Sequence, residues 1–509
     1  MFGTLSRTMS SNAQSGRRTV AKSDREPGGR RTLRVLVGIV VVALLAGGGV
    51  AWRTGWAEEQ WHALRGDASG PPADPAAVAP PPEVDAAPVA VPGALAPPAD
   101  GSAALDRAEL RKALSPLSDR DLGKHVIAAV GPIDGTGLSY RLTEGAPVAI
   151  PASTTKIVTS AAALFLLGPD RVFSTTTVLD RSGAGTPPRL VLVGGGDPFL
   201  ARAPEPATAA ATYQPVRADL RTLAQRTARA LKADGVRKVA LGYDDSLFSG
   251  PALHPTWRPD YVPEEINPIS ALWVDEGRPL PGQGPIADPS AEAARVFRDA
   301  LAARGITVTG ATTRTQAPAS ATPVGEVTSA TVAQIVQRLI EVSDNAAAEI
   351  LLRHAGVADQ GEGSFAAGQE AVRRVLSANG IAMRGSVLHD GSGLSRANRL
   401  SPVVLVDVLR LAASPDHPQL RGLLAALPVA GYTGSLASRM DLGPDAGRGR
   451  VRAKTGTLTG VTSLAGIAVD RDGHLMAFAL MADRVKKPKS LLARVAMDNA
   501  AAALGACTC

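Results

Sequence analysis

Cysteine is almost missing from this 509-residue chain: Cys507 and Cys509, at the C-terminal end, are the only two. That excludes a disulfide framework and any Cys-rich zinc or iron–sulfur site. A small secreted domain would need such staples, but a core this large does not. Aromatics are scarce at 4%, so the core must rest on Leu, Val, Ile and Ala. The histidines include no pair at i, i+4, which excludes a helical two-His zinc motif. No G-x-S-x-G occurs, which argues against a Ser-His-Asp hydrolase with a nucleophile elbow. Gly194-Gly-Gly-Asp197 is not followed by Gly-Lys-Ser/Thr, so it reads as a turn and not as a phosphate loop.

Charge is also short where the total suggests plenty. Of the net +7, residues 1–34 contribute +6, with eight Arg/Lys from Arg7 to Arg34 against Asp24 and Glu26. The rest of the chain is near neutrality, so no basic folded surface and no nucleic-acid partner are expected. With 45% hydrophobic and 20% charged residues wholesale disorder is excluded, and the length allows two to four domains.

What the chain does have begins with Val35 to Trp52, VLVGIVVVALLAGGGVAW, an uncharged run. As a helix it would span about 27 Å, close to the hydrocarbon thickness. Arg30, Arg31 and Arg34 precede it, Glu58 and Glu59 follow, and Trp52, Trp56 and Trp61 cluster at its outer end. The positive-inside rule then predicts a signal-anchor with residues 1–34 cytoplasmic and everything C-terminal exported; a cleaved signal peptide is the competing reading. Residues 53–104 make a juxtamembrane segment and an Ala/Pro-rich linker. Proline every few positions in 68–104 denies it a packed helix or sheet, and as an extended tether it would reach roughly 100 Å.

From Leu105 the pattern becomes globular. Helical periodicity is predicted over 104–117, 151–168, 218–235, 290–305, 331–356 and 365–380, and in the terminal SLLARVAMDNAAAALG. Strands are predicted at HVIAAVGPI (125–133), at RLVLV (189–193), and as a run of three over 450–483 with RDG closing the second hairpin. This order implies an antiparallel sheet whose N- and C-terminal parts pair, flanked by helices, with an inserted α+β domain.

Three short motifs carry chemistry. Ser153-Thr-Thr-Lys156 puts a hydroxyl and an amine on one helix face at i, i+3. A serine is too weakly acidic to attack unaided, and a desolvated lysine could be its base. Ser343-Asp344-Asn345 sets three poor helix formers among good ones, a local cost that function would explain. Lys454-Thr455-Gly456-Thr457 lies in a strand pattern, where glycine weakens the strand unless something must approach closely. Its lysine offers a charge, its threonines hydroxyls, and Gly456 space; chance predicts about 0.07 such motifs in this chain. Asp390-Gly-Ser-Gly393 beside His389 reads as a tight turn.

SxxK, SxN and KTG in this order resemble the penicillin-binding proteins and serine β-lactamases. The 190 residues between Ser153 and Ser343 are too many for a class A β-lactamase. They resemble the insertion in the D-alanyl-D-alanine carboxypeptidases of peptidase family S13, the penicillin-binding protein 4 type. GGGDPFL (194–200), YVPEEINPISALWVDEG (261–277) and HDGSGLSRANRLSP (389–402) add to the likeness, which runs from about residue 105 to 505. The insertion is shorter than in the larger members, and the membrane helix and tether lie outside the family pattern.

The resemblance implies a penicillin-binding-protein transpeptidase-like α/β fold, with 105–171 and 326–505 as the catalytic domain, 172–325 as the insertion and 506–509 as a C-terminal tail. It implies that Ser153 attacks the carbonyl between the last two D-alanines of a peptidoglycan stem peptide and forms an acyl-enzyme. Lys156 would be the base and Ser343 would relay a proton to the leaving D-alanine. Asn345 would hydrogen-bond the acylated peptide, with Lys454 supporting the proton network. Thr455 and Thr457 would hold the substrate carboxylate, and the N–H groups of Ser153 and Thr457 would form the oxyanion hole. β-Lactams would be covalent inhibitors, endopeptidase action a second activity, and no metal or organic cofactor would be needed. The alternatives are a β-lactamase and a non-catalytic wall-binding module.

Overall fold

The computed structural model describes residues 104–509 except 136, 144–146, 183–186, 206–214, 282–283 and 441–446. The expected membrane helix and tether lie outside the described residues. Among the described residues no helix is long and apolar enough to cross a membrane. The principal elements, in chain order, are α1 (Arg107–Ala113), β1 (Val126–Pro132), β2 (Tyr140–Arg141), α2 (Thr155–Leu167), β3 (Ser174–Asp180), β4 (Arg189–Val193) and α3 (Leu220–Ala233). Then come β5 (Lys238–Asp244), α4 (Pro289–Ala302), β6 (Thr307–Arg314), β7 (Thr322–Thr328), α5 (Val332–Val342), α6 (Asn345–Gln360) and α7 (Phe365–Ala378). α8 (Pro402–Ala413), β8 (Val451–Leu458), β9 (Val461–Val469), β10 (Leu475–Ala482) and α9 (Ser490–Ala506) complete the chain.

The first sheet has the order β2-β1-β10-β9-β8 and is antiparallel throughout. Its central strands alternate with period 2 between two apolar faces. Ile127 and Ala129 of β1, with Ala477, Ala479 and Met481 of β10, pack against helices α2, α5, α6 and α8. Ala128, Val130, Met476, Phe478 and Leu480 face the other way, onto Leu110 of α1 and Met497 and Ala500 of α9. Helices therefore cover both sides, and α2 is buried from Thr155 through Leu164. A helix apolar all round belongs in such a core.

The second sheet runs β6-β5-β4-β3-β7. It is mixed: β4/β5 and β5/β6 pair parallel, while β3 pairs antiparallel with β4 and β7. Leu190 and Leu192 pack against Leu223 and Leu231 of α3 and Phe297 and Leu301 of α4. Strand β7 ends at Thr328, so this sheet runs slightly past the boundary expected at residue 325.

Three further expectations need correction. The segment predicted as one helix over 331–356 is two, because Ser343 adopts a left-handed φ of 64° and caps α5, while Asp344 caps α6 by accepting from the Ala347 N–H at 2.9 Å. Local side-chain bonding by Asp stops the run. The helix after Pro151 opens as a 3-10 turn, Ala152–Thr154, before α2 proper. The C-terminal tail, expected to fray with its two cysteines oxidised to each other or between chains, is docked. Cys507 and Cys509 are disulfide-bonded, the Cys509 N–H donates to Asp470 Oδ2 at 2.9 Å, and its carbonyl accepts from the Asp106 N–H.

Candidate active site

The 3-10 turn that carries Ser153 is wedged between two backbones. Ala152, fully buried, sits at a φ of 48°, a conformation costly for a residue with a Cβ. On one side Gly393 has a φ of 87°, and a Cβ there would lie 1.9 Å from the Ala152 carbonyl oxygen. On the other side stands Gly456 of β8. A Cβ at Gly456 would meet Ser463 Oγ at 2.2 Å, the Pro151 oxygen at 2.5 Å and the Ser153 nitrogen at 3.2 Å. The Ser463 hydroxyl donates to the Pro151 oxygen at 2.6 Å, tying β9 to the same turn. Gly456 thus has a spatial reason to be glycine, and the first and third motifs touch.

Lys156, in the first turn of α2, is fully buried. Its Nζ donates to Ser153 Oγ at 3.0 Å, to Asn345 Oδ1 at 2.7 Å and to the Ser392 carbonyl at 2.7 Å. Three acceptors match the three protons of an ammonium. Burial lowers its pKa to about 8, against the opposing pull of Glu349, Asp390, Asp344 and Glu265 in that order. Roughly a tenth of the amine is then neutral at pH 7, and the neutral form has a lone pair for the Ser153 proton.

The second motif arrives with Asn345 at the start of α6. Its Nδ2 donates to the Glu265 carbonyl at 2.9 Å, leaving one amide hydrogen for a further acceptor. Ser343, two residues earlier, is half-buried. It lines a cavity of about 160 Å³ together with Glu265, Glu276, Asp344 and Asn345. Among the described residues its hydroxyl has no hydrogen-bond partner, so of the three expected catalytic side chains the structure joins Ser153 and Lys156 directly and leaves Ser343 at the rim.

Lys454 of β8 is fully buried and donates to the Thr455 carbonyl at 2.9 Å. Burial, then Lys156 and Arg439, push its pKa well below the ordinary lysine value. Thr455 donates from Oγ1 to Ser435 Oγ at 3.0 Å. Thr457 is exposed, and the strand period puts it on the same face as Thr455.

The sequence reading missed what lies behind Lys156. Glu349, on α6, is fully buried in an otherwise apolar stretch. It accepts from the Gly391 N–H at 3.0 Å and from the Ser392 N–H at 2.7 Å. Burial and the neighbouring Asp390 raise its pKa. Asp390 in turn accepts from Trp257 Nε1 at 2.7 Å, the Gly393 N–H at 2.9 Å, the Ser395 N–H at 2.6 Å and Asn398 Nδ2 at 2.6 Å. The DGSG stretch is a tight turn, as read, but one that aims the Ser392 carbonyl at Lys156. The available signal was a lone acid in AAAEILL, one helical turn after Asn345 on the same face; a buried acid there requires partners.

One cluster among the described residues has metal-ligand spacing: Asp470, Asp472 and His474 in the β9–β10 hairpin. Asp470 is already committed to the N–H groups of Asp472, His474 and Cys509 and to His474 Nδ1, so this is a structural knot remote from Ser153.

The chain matches the profile of the D-Ala-D-Ala carboxypeptidase 3 (S13) family over residues 112–284 and 279–504. It is 36% identical over 440 residues to a carboxypeptidase of Mycobacterium tuberculosis, covering 85% of this chain and 90% of the relative. It is 33% identical over 488 residues to carboxypeptidase DacB of Mycolicibacterium smegmatis, covering 94% and 98%. Among solved structures it resembles penicillin binding protein 4 (dacB) of Haemophilus influenzae, with a TM-score of 0.62 at 22% identity over 77% of this chain and 98% of that one.

Proposed function

The chain belongs to the S13 family and is a serine D-Ala-D-Ala carboxypeptidase, a penicillin-binding peptidoglycan peptidase; from that premise we propose how its own residues divide the work. Ser153 is the nucleophile. Neutral Lys156 takes its proton as Oγ attacks the carbonyl of the penultimate D-alanine. The backbone N–H groups of Ser153 and Thr457 receive the developing oxyanion. The proton then passes from Lys156 through the Ser343 hydroxyl to the departing D-alanine nitrogen as the C–N bond breaks. Water attacks the resulting ester, with Lys156 again the base, and frees Ser153.

The observation that carries this reading is the set of three contacts to Lys156 Nζ, from Ser153, Asn345 and Ser392. They place one buried amine between the nucleophile and the second motif. The spare amide hydrogen of Asn345 serves the acylated stem peptide, and Thr455 and Thr457 serve its terminal carboxylate. Endopeptidase action on D,D-cross-links uses the same steps with a longer leaving group. The hydrophobic run over 35–52 with its flanking charges supports a single-pass anchor, with the catalytic part on the extracytoplasmic side.

The test is D-alanine release from a pentapeptide stem, run beside labelling with a fluorescent penicillin. Wild type should do both and Ser153→Ala neither. Equal labelling of Ser153→Ala would show that another residue is the nucleophile. Slow loss of the penicillin adduct is expected; rapid turnover would mean a β-lactamase.

A further inference from the structure

The near-neutral total of residues 35–509 conceals a local asymmetry beside the second sheet. Helix α3 carries Arg221, Arg226, Arg229 and Lys232 and no acid in LRTLAQRTARALKA. Arg221, Gln225, Arg229 and Lys232 recur at intervals of four, four and three, so they form one stripe about 16 Å long. Two concavities run along this stripe between α3 and α4. The first, about 430 Å³, is lined by Arg202, Arg221, Arg295 and Arg304, with Asp299 as its one acid. The second, about 510 Å³, is lined by Arg229, Lys232 and again Arg304. Because Arg304 borders both, they form one groove with six cations along it.

The acids nearby do not neutralise it. Arg202 pairs with Glu292 at 2.8 Å and with Asp275 at 3.4 Å, and Arg295 pairs with Glu292 and Asp299, so these two arginines are balanced and the uncompensated charge lies on the other four cations. The Arg202 Nη2 is buried with no hydrogen-bond partner. Among the described residues Arg221, Arg229, Lys232 and Arg304, all exposed, have no carboxylate within ion-pair distance. An ordinary solvated helix face would interleave acids at i, i+4; here Arg226, Arg229 and Lys232 repel one another instead. No aromatic side chain lines either concavity, so neither bases nor sugar rings find a stacking platform.

We infer that the groove between α3 and α4 binds a linear polyanion, a wall glycopolymer whose phosphodiester or carboxylate groups are read by Arg221, Arg229, Lys232 and Arg304. A concave track suits an extended chain better than a flat bilayer, and charge without stacking suits a polymer recognised through its anions. Binding there holds the enzyme on the wall while Ser153 works on stem peptides. It leaves the chemistry on soluble peptide unchanged.

The experiment measures binding of the full chain to linear polyphosphate, polygalacturonate and neutral dextran. Wild type should bind one or both polyanions and not dextran. Removing three cations, as Arg221→Ala/Arg229→Ala/Lys232→Ala, should weaken binding about 30-fold at low salt and reduce the log–log salt slope by about 2. A control removing equal charge from exposed α1, Arg107→Ala/Arg111→Ala/Lys112→Ala, should leave binding unchanged. D-Alanine release from soluble pentapeptide should match wild type in both variants, which separates this site from the reading of the active site. Equal binding by the α3 triple variant, or an equal loss in the α1 control, overturns the proposal. So does a single-stranded oligonucleotide or phosphatidylglycerol vesicles losing more affinity than the polyanions in the α3 variant.

Discussion

Replacing Glu349 by Gln should move the pH dependence of acylation to the acid side. If Lys156 is the base, as proposed, acylation requires its neutral form, and kcat/KM for D-alanine release should climb with pH through an acid limb near the Lys156 pKa of about 8. Glu349 is the largest electrostatic influence holding that pKa up against burial. The contact runs from Lys156 to the Ser392 carbonyl and from the Ser392 N–H to Glu349, both at 2.7 Å. At a separation on the order of 6 Å and an effective dielectric of about 20, a full charge is worth about 3 kcal/mol, or about two pH units. Glu349 itself is held toward its protonated form by burial and Asp390, so its charge is partial and a downward move of about one to two units is expected. Gln keeps an oxygen for the Gly391 and Ser392 N–H groups, and a thermal melt checks that the turn survives. The assay is kcat/KM on a pentapeptide from pH 5 to 10, repeated with the rate of penicillin acylation. If the limb stays put or moves to higher pH in a folded variant, Glu349 does not set the basicity of Lys156.

Other outcomes follow from the same geometry. Gly456→Ala puts a methyl 2.5 Å from the Pro151 oxygen and 2.2 Å from Ser463 Oγ; it should lower stability by about 1–3 kcal/mol and suppress penicillin labelling, and Ser463→Ala should not restore it because the Pro151 clash remains. Amidating the substrate terminus should lower kcat/KM about 10- to 150-fold in wild type, since hydrogen bonds to a charged group are worth about 1.5–3 kcal/mol. The loss should be much smaller in Thr455→Val/Thr457→Val. A chain starting near Ala104 should cleave soluble pentapeptide as fast as full length, and slower cleavage would show that residues before Leu105 belong to the catalytic fold.

The parts legible in the sequence are those whose signal is local. Helix α3 announced itself through its period and α2 through the proline before it, and the strand run over 450–483 through alternation and its turn. The three motifs were legible because each places its reactive groups within four residues. What escaped depends on distant packing. Nothing near Ser392 says that its carbonyl faces Lys156, which lies 236 residues away. Glu349 looked like one acid in a helix, because only the folded chain shows the Gly391 and Ser392 amides capping it. The break at Ser343 was visible as three poor helix formers, yet the apolar period on both sides continued through them and suggested one helix. The docking of Cys509 depends on Asp106 and Asp470, which the sequence separates widely.

The order of strands in the first sheet also governs when this enzyme can come into being. β1 lies beside β10, with Val126 opposite Ala482, so the sheet's first strand has no central neighbour until nearly the whole chain has been made. β3 to β7, by contrast, are contiguous and can collapse around their own core while the rest is still emerging. Pairings this far apart in sequence are slow because the loop must close before the contacts reward it. Ser153 therefore emerges early and waits. Its strand partner β8 and the Pro151 clamp from β9 arrive hundreds of residues later, and a chain interrupted before them carries the proposed nucleophile without the groups that surround it. Hydrolytic competence is thereby delayed until the last strands have been made.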